Sequence, residues 1–429
     1  MTALLAILLL LLIPAVMFIV QLKRQRAQYL WLLAMLGALL AWMGIYFARS
    51  DLSQVVAPFT WQPEIFFPLS PILVIDFTSW VFALALTTQL VAVMLTSVAR
   101  LGGTRTPVLE TSQPSEEEEA PPVIPAANPQ RTNWRAWASH LALTSLGLVA
   151  VLAGNLLTLL LAWVALDIVE LFILLGQVST SEHRAKVMVS FSARLAGIVM
   201  LLLGGIVMWS QGRELDFSSI TQPANLFFFL AAGLRLGILP LHIPFQSELP
   251  MRIGLGTIVR LVPLSASLVL LVRCTEVGIP GITGLVLLGL CALAGLAGGI
   301  GWLRAQDELS GRSYWIMVCS SLAMAAAIQG QPEACIAWSL AAILLGNLIF
   351  LTSVRRRYLA PILLVGVICL TSLPFTPTWA GSSVFQPMAA STNLLGQVFA
   401  VLIGLIFFIC HGLLLAGYLL HGLRGRLIP

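Results

Sequence analysis

Five ionisable residues lie inside long apolar stretches: Asp167, Glu170, Arg194, Arg235 and Arg260, in a chain of 429 residues that is only 10% charged. A charge placed in hydrocarbon costs about 2.5–3.5 kcal/mol on insertion scales unless it is paired or hydrated. Asp167 and Glu170 are three residues apart, so on a helix they share one face with a rise of about 4.5 Å between them. Two carboxylates that close raise one another's proton affinity unless a cation stands near. Each of the next three apolar segments carries one arginine that could be that cation. Acids on one helix and bases on the next three can form an ion-pair cluster that locks helices together, or line a buried polar pathway. Charge placement alone leaves both readings open.

The elements that must position these residues are apolar runs. The chain is 59% hydrophobic with a mean hydropathy of +0.96, which excludes an ordinary soluble domain and predicts an all-α polytopic membrane protein. About thirteen transmembrane helices are expected, at 3–21, 29–48, 78–98, 137–153, 156–177, 187–209, 225–243, 254–274, 281–303, 314–330, 333–352, 359–374 and 395–420. The first has no basic residue before it and no small-residue cleavage site after it, so it reads as a retained helix. Seventeen of the 23 Lys and Arg fall in one alternate set of loops and three in the other. That asymmetry places the N-terminus outside and the C-terminus in the cytoplasm of a bacterial inner membrane or an equivalent energy-coupling membrane. The net charge of +5 follows from those inner loops and calls for no nucleic-acid partner.

Four regions are expected. Residues 1–100 hold three transmembrane helices. Residues 101–135, rich in proline and carrying the acidic run Glu116 to Glu119, read as a disordered cytoplasmic linker that cannot bury enough apolar surface to order itself. Residues 136–274 and 275–429 would be two five-helix repeats. The repeat reading rests on paired interruptions. The seventh segment, GLRLGILPLHIPF, has Pro240 and Pro244 near its inner end; the twelfth, VICLTSLPFTPTW, has Pro374 and Pro377 near its outer end. Proline removes backbone donors, and a break in lipid survives only where protein or water satisfies the freed groups. The two helices are five apart and run in opposite directions, as two inverted repeats require.

Other chemistry has little support in the sequence. The six cysteines lie singly and form no CxxC pair, which indicates neither a disulfide framework nor a metal site. No signature for a nucleotide, flavin, haem or iron–sulfur cluster stands out, and GGIG at 298–301 lacks the Lys-Ser/Thr that a phosphate loop requires. No cofactor is expected. His140, His411 and His421 are isolated and read as structural or interfacial.

The stretch AAGLRLGILPLHIPFQSELP resembles the broken seventh helix of the antiporter-like subunits of respiratory complex I and their sodium/proton antiporter relatives. LVIDFTSWVFALAL resembles the acidic start of that family's third helix, GNLLTLLLAWVALDIVELFILLG its fifth, QGRELDFSSI the loop after its sixth, and QDELSGRSYWIMVCSS the start of its tenth. The likeness runs in register over about residues 60–380. It implies that Arg235 stands at the family's pathway lysine, with His242 retained seven residues on. The fifth-helix glutamate position is Val164, so Asp167 would have to substitute for it. Arg260 takes an eighth-helix histidine position, Gly197 lies near the sixth-helix aspartate position, and Gly346 lies near the eleventh-helix lysine position. A fourteenth helix is absent.

These replacements bear on chemistry. Lysine in a dry site can release its proton, whereas arginine stays protonated in proteins. The interiors of spans nine to twelve offer no Asp, Glu, Lys or His, since Glu333 stands at the very start of the eleventh; mainly Ser, Thr and Asn347 remain. The resemblance therefore implies an antiporter-like integral subunit of a complex I-related, redox-driven proton- or cation-translocating assembly, with a degenerate proton path. It would have no catalytic centre of its own within an NADH:quinone oxidoreductase-type translocase. Its partners would be other hydrophobic membrane subunits and lipids. Two other readings stand beside this one: a non-conducting scaffold subunit, and an autonomous secondary transporter in which Arg235 binds an anionic substrate.

Overall fold

The computed structural model describes residues 2–23, 29–58, 69–99, 134–178, 181–239, 241, 253–353, 359–386 and 394–423. It is helical nearly throughout. The helices are α1 (Thr2–Lys23), α2 (Leu30–Phe47), α3 (Phe77–Ala99), α4 (Trp134–Val151), α5 (Leu156–Gln177), α6 (Ser181–Ser210) and α7 (Gln222–Leu236). They continue with α8 (Ile253–Cys274), α9 (Gly281–Arg304), α10 (Arg312–Ile328), α11 (Pro332–Leu351), α12 (Ala360–Leu370) and α13 (Leu394–Leu423). All thirteen expected spans have a helix, and nine of these among the described residues are long and apolar enough to cross a membrane by themselves. Most of the expected 101–135 linker lies outside the described residues; its last two positions, Trp134 and Arg135, already belong to α4.

These helices are apolar around most of their circumference, so hydrophobicity cannot select the buried face as it does in water. Small and polar residues select it instead. The helix α8 is buried along its length and packs against α3, α4, α5, α7, α10 and α11, which makes it the central post. Close approach is set by glycines: a Cβ at Gly204 would collide with the Phe228 ring across α6 and α7. One end of the bundle is tied by a two-stranded antiparallel ladder, β1 (Gln54–Val56) with β2 (Leu73–Ile75). That ladder continues through Val74 N to Leu152 O at 2.8 Å and Gly154 N to Ile72 O at 2.9 Å. Asn155 then caps α5, accepting from Thr158 N at 2.9 Å and donating to Ser70 O at 2.8 Å.

The two segments with paired prolines are interrupted, but not where proline alone would stop them. Helix α7 ends at Leu236 because Gly237 turns left-handed (φ 75°), and the N–H groups of Ile238 and Leu239 then close on Gly233 O at 2.9 and 3.3 Å. The described helix thus ends at Leu236, short of the expected boundary at 243; Pro240, His242 and Pro244 lie outside the described residues. Helix α12 stops at Leu370, four residues before Pro374. From there the chain turns through Ser372 and Phe375, both left-handed (φ 54° and 69°), past Pro377 into a 3-10 turn at Ala380–Phe385. The freed carbonyls are met by protein: Thr378 Oγ1 donates to Cys369 O at 2.7 Å, and His411 Nε2 lies 2.7 Å from Leu370 O. The apparently isolated His411 thus has a definite structural partner on the interrupted helix.

A third irregularity has no proline. Helix α11 contains a π turn at Ala341–Leu345, and Trp315 Nε1 donates to the carbonyl of Ala342 within it at 3.0 Å.

Candidate functional site

The charges meet on helices α5, α6, α7 and α8. Asp167 lies midway along α5 and Glu170 one turn further, both buried with their shared face toward α6 and α7. Arg235 occupies the last turn of the interrupted α7, where the negative end of the helix dipole favours a cation. Its guanidinium makes a two-pronged pair with Asp167, Nη1 to Oδ2 at 2.5 Å and Nη2 to Oδ1 at 2.8 Å. Its Nε donates to Ser267 Oγ on α8 at 3.3 Å. The plane of the guanidinium covers the Trp163 ring at 4.2 Å from the centroid. Arg194 on α6 bonds Glu170 directly and stands 3.6 Å from Asp167 Oδ1. Two acids and two arginines therefore make one neutral, buried cluster that ties four helices together, counting Ser267.

Trp163, Ser267 and Gly197 are members of this site that composition does not mark. Trp163 precedes Asp167 by one helical turn, so the shared face was available as a signal. Ser267 follows Arg260 by two turns on α8. Gly197, which the family resemblance set near an aspartate position, shows its packing role only in three dimensions: a Cβ there would lie 2.8 Å from Arg235 Cγ and 2.9 Å from Ala231 O. The glycine makes the space through which the Arg235 stem reaches α5. Gly197→Val should expel that stem and break the Asp167 pair, with a loss of about 3–5 kcal/mol; thermal unfolding in detergent measures it, and an unchanged Tm would contradict the packing described.

Arg260 is buried on α8 and lies within electrostatic reach of Glu170, but makes no hydrogen bond or ion pair to the cluster among the described residues. Its Nη1 donates to Gly256 O at 3.3 Å and its Nε has no hydrogen-bond partner. Beside it is Arg312 on α10, whose Nη2 donates to Ile253 O at 3.2 Å. A Cβ at Gly256 would collide with Arg312 Nη1 and sit 3.3 Å from Arg260 Nη1, so both guanidinium groups crowd the bare backbone of one glycine. Among the described residues no group of three or more His, Cys, Asp or Glu could hold a metal ion.

The surroundings of Gly346 are aromatic. At Gly346 on α11 a Cβ would lie 2.6 Å from Trp315 Nε1. Trp315 is fully buried and its ring lies 5.5 Å from that of Trp302, 5.6 Å from Tyr418 and 6.4 Å from Phe350. The position that the family resemblance assigns near a pathway lysine is thus filled by an indole.

No protein-family model and no curated protein matches this chain by sequence. Solved structures do. A chain of the Mrp complex from Dietzia sp. aligns with all of this chain and 48% of its own length, at TM-score 0.75 and 15% identity. A chain of the membrane-bound sulfane sulfur reductase, an archaeal respiratory membrane complex, aligns over 99% of this chain and 70% of its own, at 0.67 and 15%. A chain of respiratory complex I from Thermus thermophilus aligns over 98% and 97%, at 0.64 and 14%. The chain spans about half the length of the first of these. At such identity the likeness is one of fold: this is a nearly all-helical, multi-pass membrane protein with the fold of the chains it aligns with in those complexes.

Proposed function

We propose that this chain is an antiporter-like membrane subunit of a complex I-related assembly whose own proton path has become degenerate, so that it serves the assembly mainly by structure and electrostatics. The observation that carries the reading is the state of the two half-sites. In the first, both pathway-type acids are held by arginines, which do not give up their protons. In the second, Trp315 stands where a titratable group would be needed. Proton transfer across about 30 Å of hydrocarbon needs a continuous series of waters and exchangeable groups. The described residues of α9 to α12 supply no such series within the membrane.

Helices α4–α8 and α9–α13 are taken as the two inverted repeats, at 136–274 and 275–429, after the N-terminal helices of 1–100. Asp167, Glu170, Arg194, Arg235 and Arg260 are then the remnants of a pathway, converted to a lock and a fixed positive field. The lateral partners are other hydrophobic membrane subunits. Proton flux into liposomes, with the chain alone and in its assembly, tests the proposal. Flux at background, unaffected by Asp167→Asn, is expected; robust flux abolished by Asp167→Asn would overturn it.

Orientation has its own test. Cysteine labelling should find the 101–135 linker and the C-terminus on the cytoplasmic side and residues 49–76 outside. A linker labelled from outside would reverse the assignment of the half-sites.

A further inference from the structure

Away from the charge cluster, α3, α4 and α8 enclose three polar side chains that nothing among the described residues satisfies. Gln89, His140 and Thr144 are each at least nine-tenths buried, and Gln89 Oε1 and Nε2, both ring nitrogens of His140 and Thr144 Oγ1 have no hydrogen-bond partner. Neighbouring hydroxyls on the same helices do find one: Thr87 donates to Ala83 O at 2.9 Å and Ser145 to Ile7 O at 3.0 Å. Single orphaned atoms occur elsewhere in the bundle, but here five of them belong to three side chains on two adjacent helices.

Their arrangement follows from the glycines. A Cβ at Gly254 on α8 would lie 2.9 Å from Val93 Cγ1 on α3 and 3.7 Å from His140 Cε1 on α4, so these side chains converge at one level. Helices α3 and α4 run antiparallel. One turn before Val93 is Gln89, and one turn after His140 is Thr144, so these two face one another at the next level. A turn further, a Cβ at Gly147 would collide with Val262 and lie 3.5 Å from Leu86, which closes the space with apolar groups. Val93 and Gly254 thus bound this polar group at one end, and Leu86 and Val262 at the other.

We propose that this group of side chains encloses an internal hydration site, with water bridged between Gln89, His140 and Thr144. A buried water needs two to four polar partners. The amide offers donors and an acceptor, the imidazole one of each, and the hydroxyl either. An orphaned buried polar group in a native protein calls for such a partner. The site would keep an imidazole in contact with water on the α3–α4 side of α8, separate from the arginine-locked cluster of α5 to α7.

X-ray hydroxyl-radical labelling of the whole protein in its membrane assembly, with oxygen-18 water, reads the site directly, because radicals form from the bound water itself. His140 should be labelled several-fold faster than His421, which is equally buried but bonded to Trp302 O at 2.8 Å. Thr144→Val keeps the shape and removes one water partner, and should cut His140 labelling by half or more. Should that variant fail to assemble, Gln89→Met makes the same test. Labelling of His140 no faster than of His421, or labelling indifferent to both substitutions, would overturn the proposal.

Discussion

Asp167→Ala should destabilise the folded protein by about 3–5 kcal/mol, the cost of leaving a buried charge without its partner. The expectation is large because Asp167 serves two arginines. It receives both Nη groups of Arg235 at 2.5 and 2.8 Å and lies 3.6 Å from Arg194 Nη1. Removing it changes a neutral four-charge cluster into one with net positive charge in hydrocarbon. Arg235→Lys should cost less, since the charge survives while the two-pronged bond and the fit over Trp163 are lost. The double change Asp167→Ala with Arg235→Leu should recover part of the loss, because it removes the unpaired cation as well as the acid. Thermal unfolding in detergent, or retention of the assembly on native gels, measures all three. Equal stability of Asp167→Ala and the unaltered protein would mean that water reaches Arg235 and that the cluster is a hydrated pathway after all.

The double change also separates the two readings that charge placement left open. A lock tolerates replacement by well-packed apolar groups, since a buried ion pair offsets its desolvation only in part. A pathway does not, because its function resides in the exchangeable groups themselves. Stability recovered in the double variant, with proton flux at background throughout, fits the lock.

The charge cluster was legible because ions are rare in apolar sequence. Asp167 and Glu170 three apart announce a shared face, and an arginine on each following helix announces a partner. Which arginine meets which acid was not legible, because it turns on Gly197, a residue whose contribution is the absence of a Cβ. The helix ends show the same division. Spans could be read from apolar runs, and the presence of interruptions in α7 and α12 from their prolines. The stopping points could not, because Gly237 and the turn through Ser372 are fixed by what satisfies the freed carbonyls, including His411 from another helix. The π turn of α11 lies in the run AAILL, where no single residue breaks a helix. Its cause is tertiary: an indole on α10 that needs an acceptor.

That indole bears the second large expectation. Trp315→Ala should cost about 3–5 kcal/mol, as truncation of a fully buried aromatic leaves a cavity its neighbours cannot close. Here the neighbours are themselves bulky rings, Trp302, Phe350 and Tyr418, each held from a different helix. The carbonyl of Ala342 would also lose its donor, so the π turn should relax toward regular helix and shift the register of Gly346 and Asn347. Hydrogen exchange across α11 measures the second effect and thermal unfolding the first. Proton flux, in contrast, should stay at background. The cavity would be lined mainly by aromatic and aliphatic groups, and an apolar cavity stays dry. A hole without water or titratable groups does not carry protons, however wide it is. Flux that appears in Trp315→Ala would instead make Trp315 a removable plug in an intact path, and the degenerate half-site would have to be reread as a gated one.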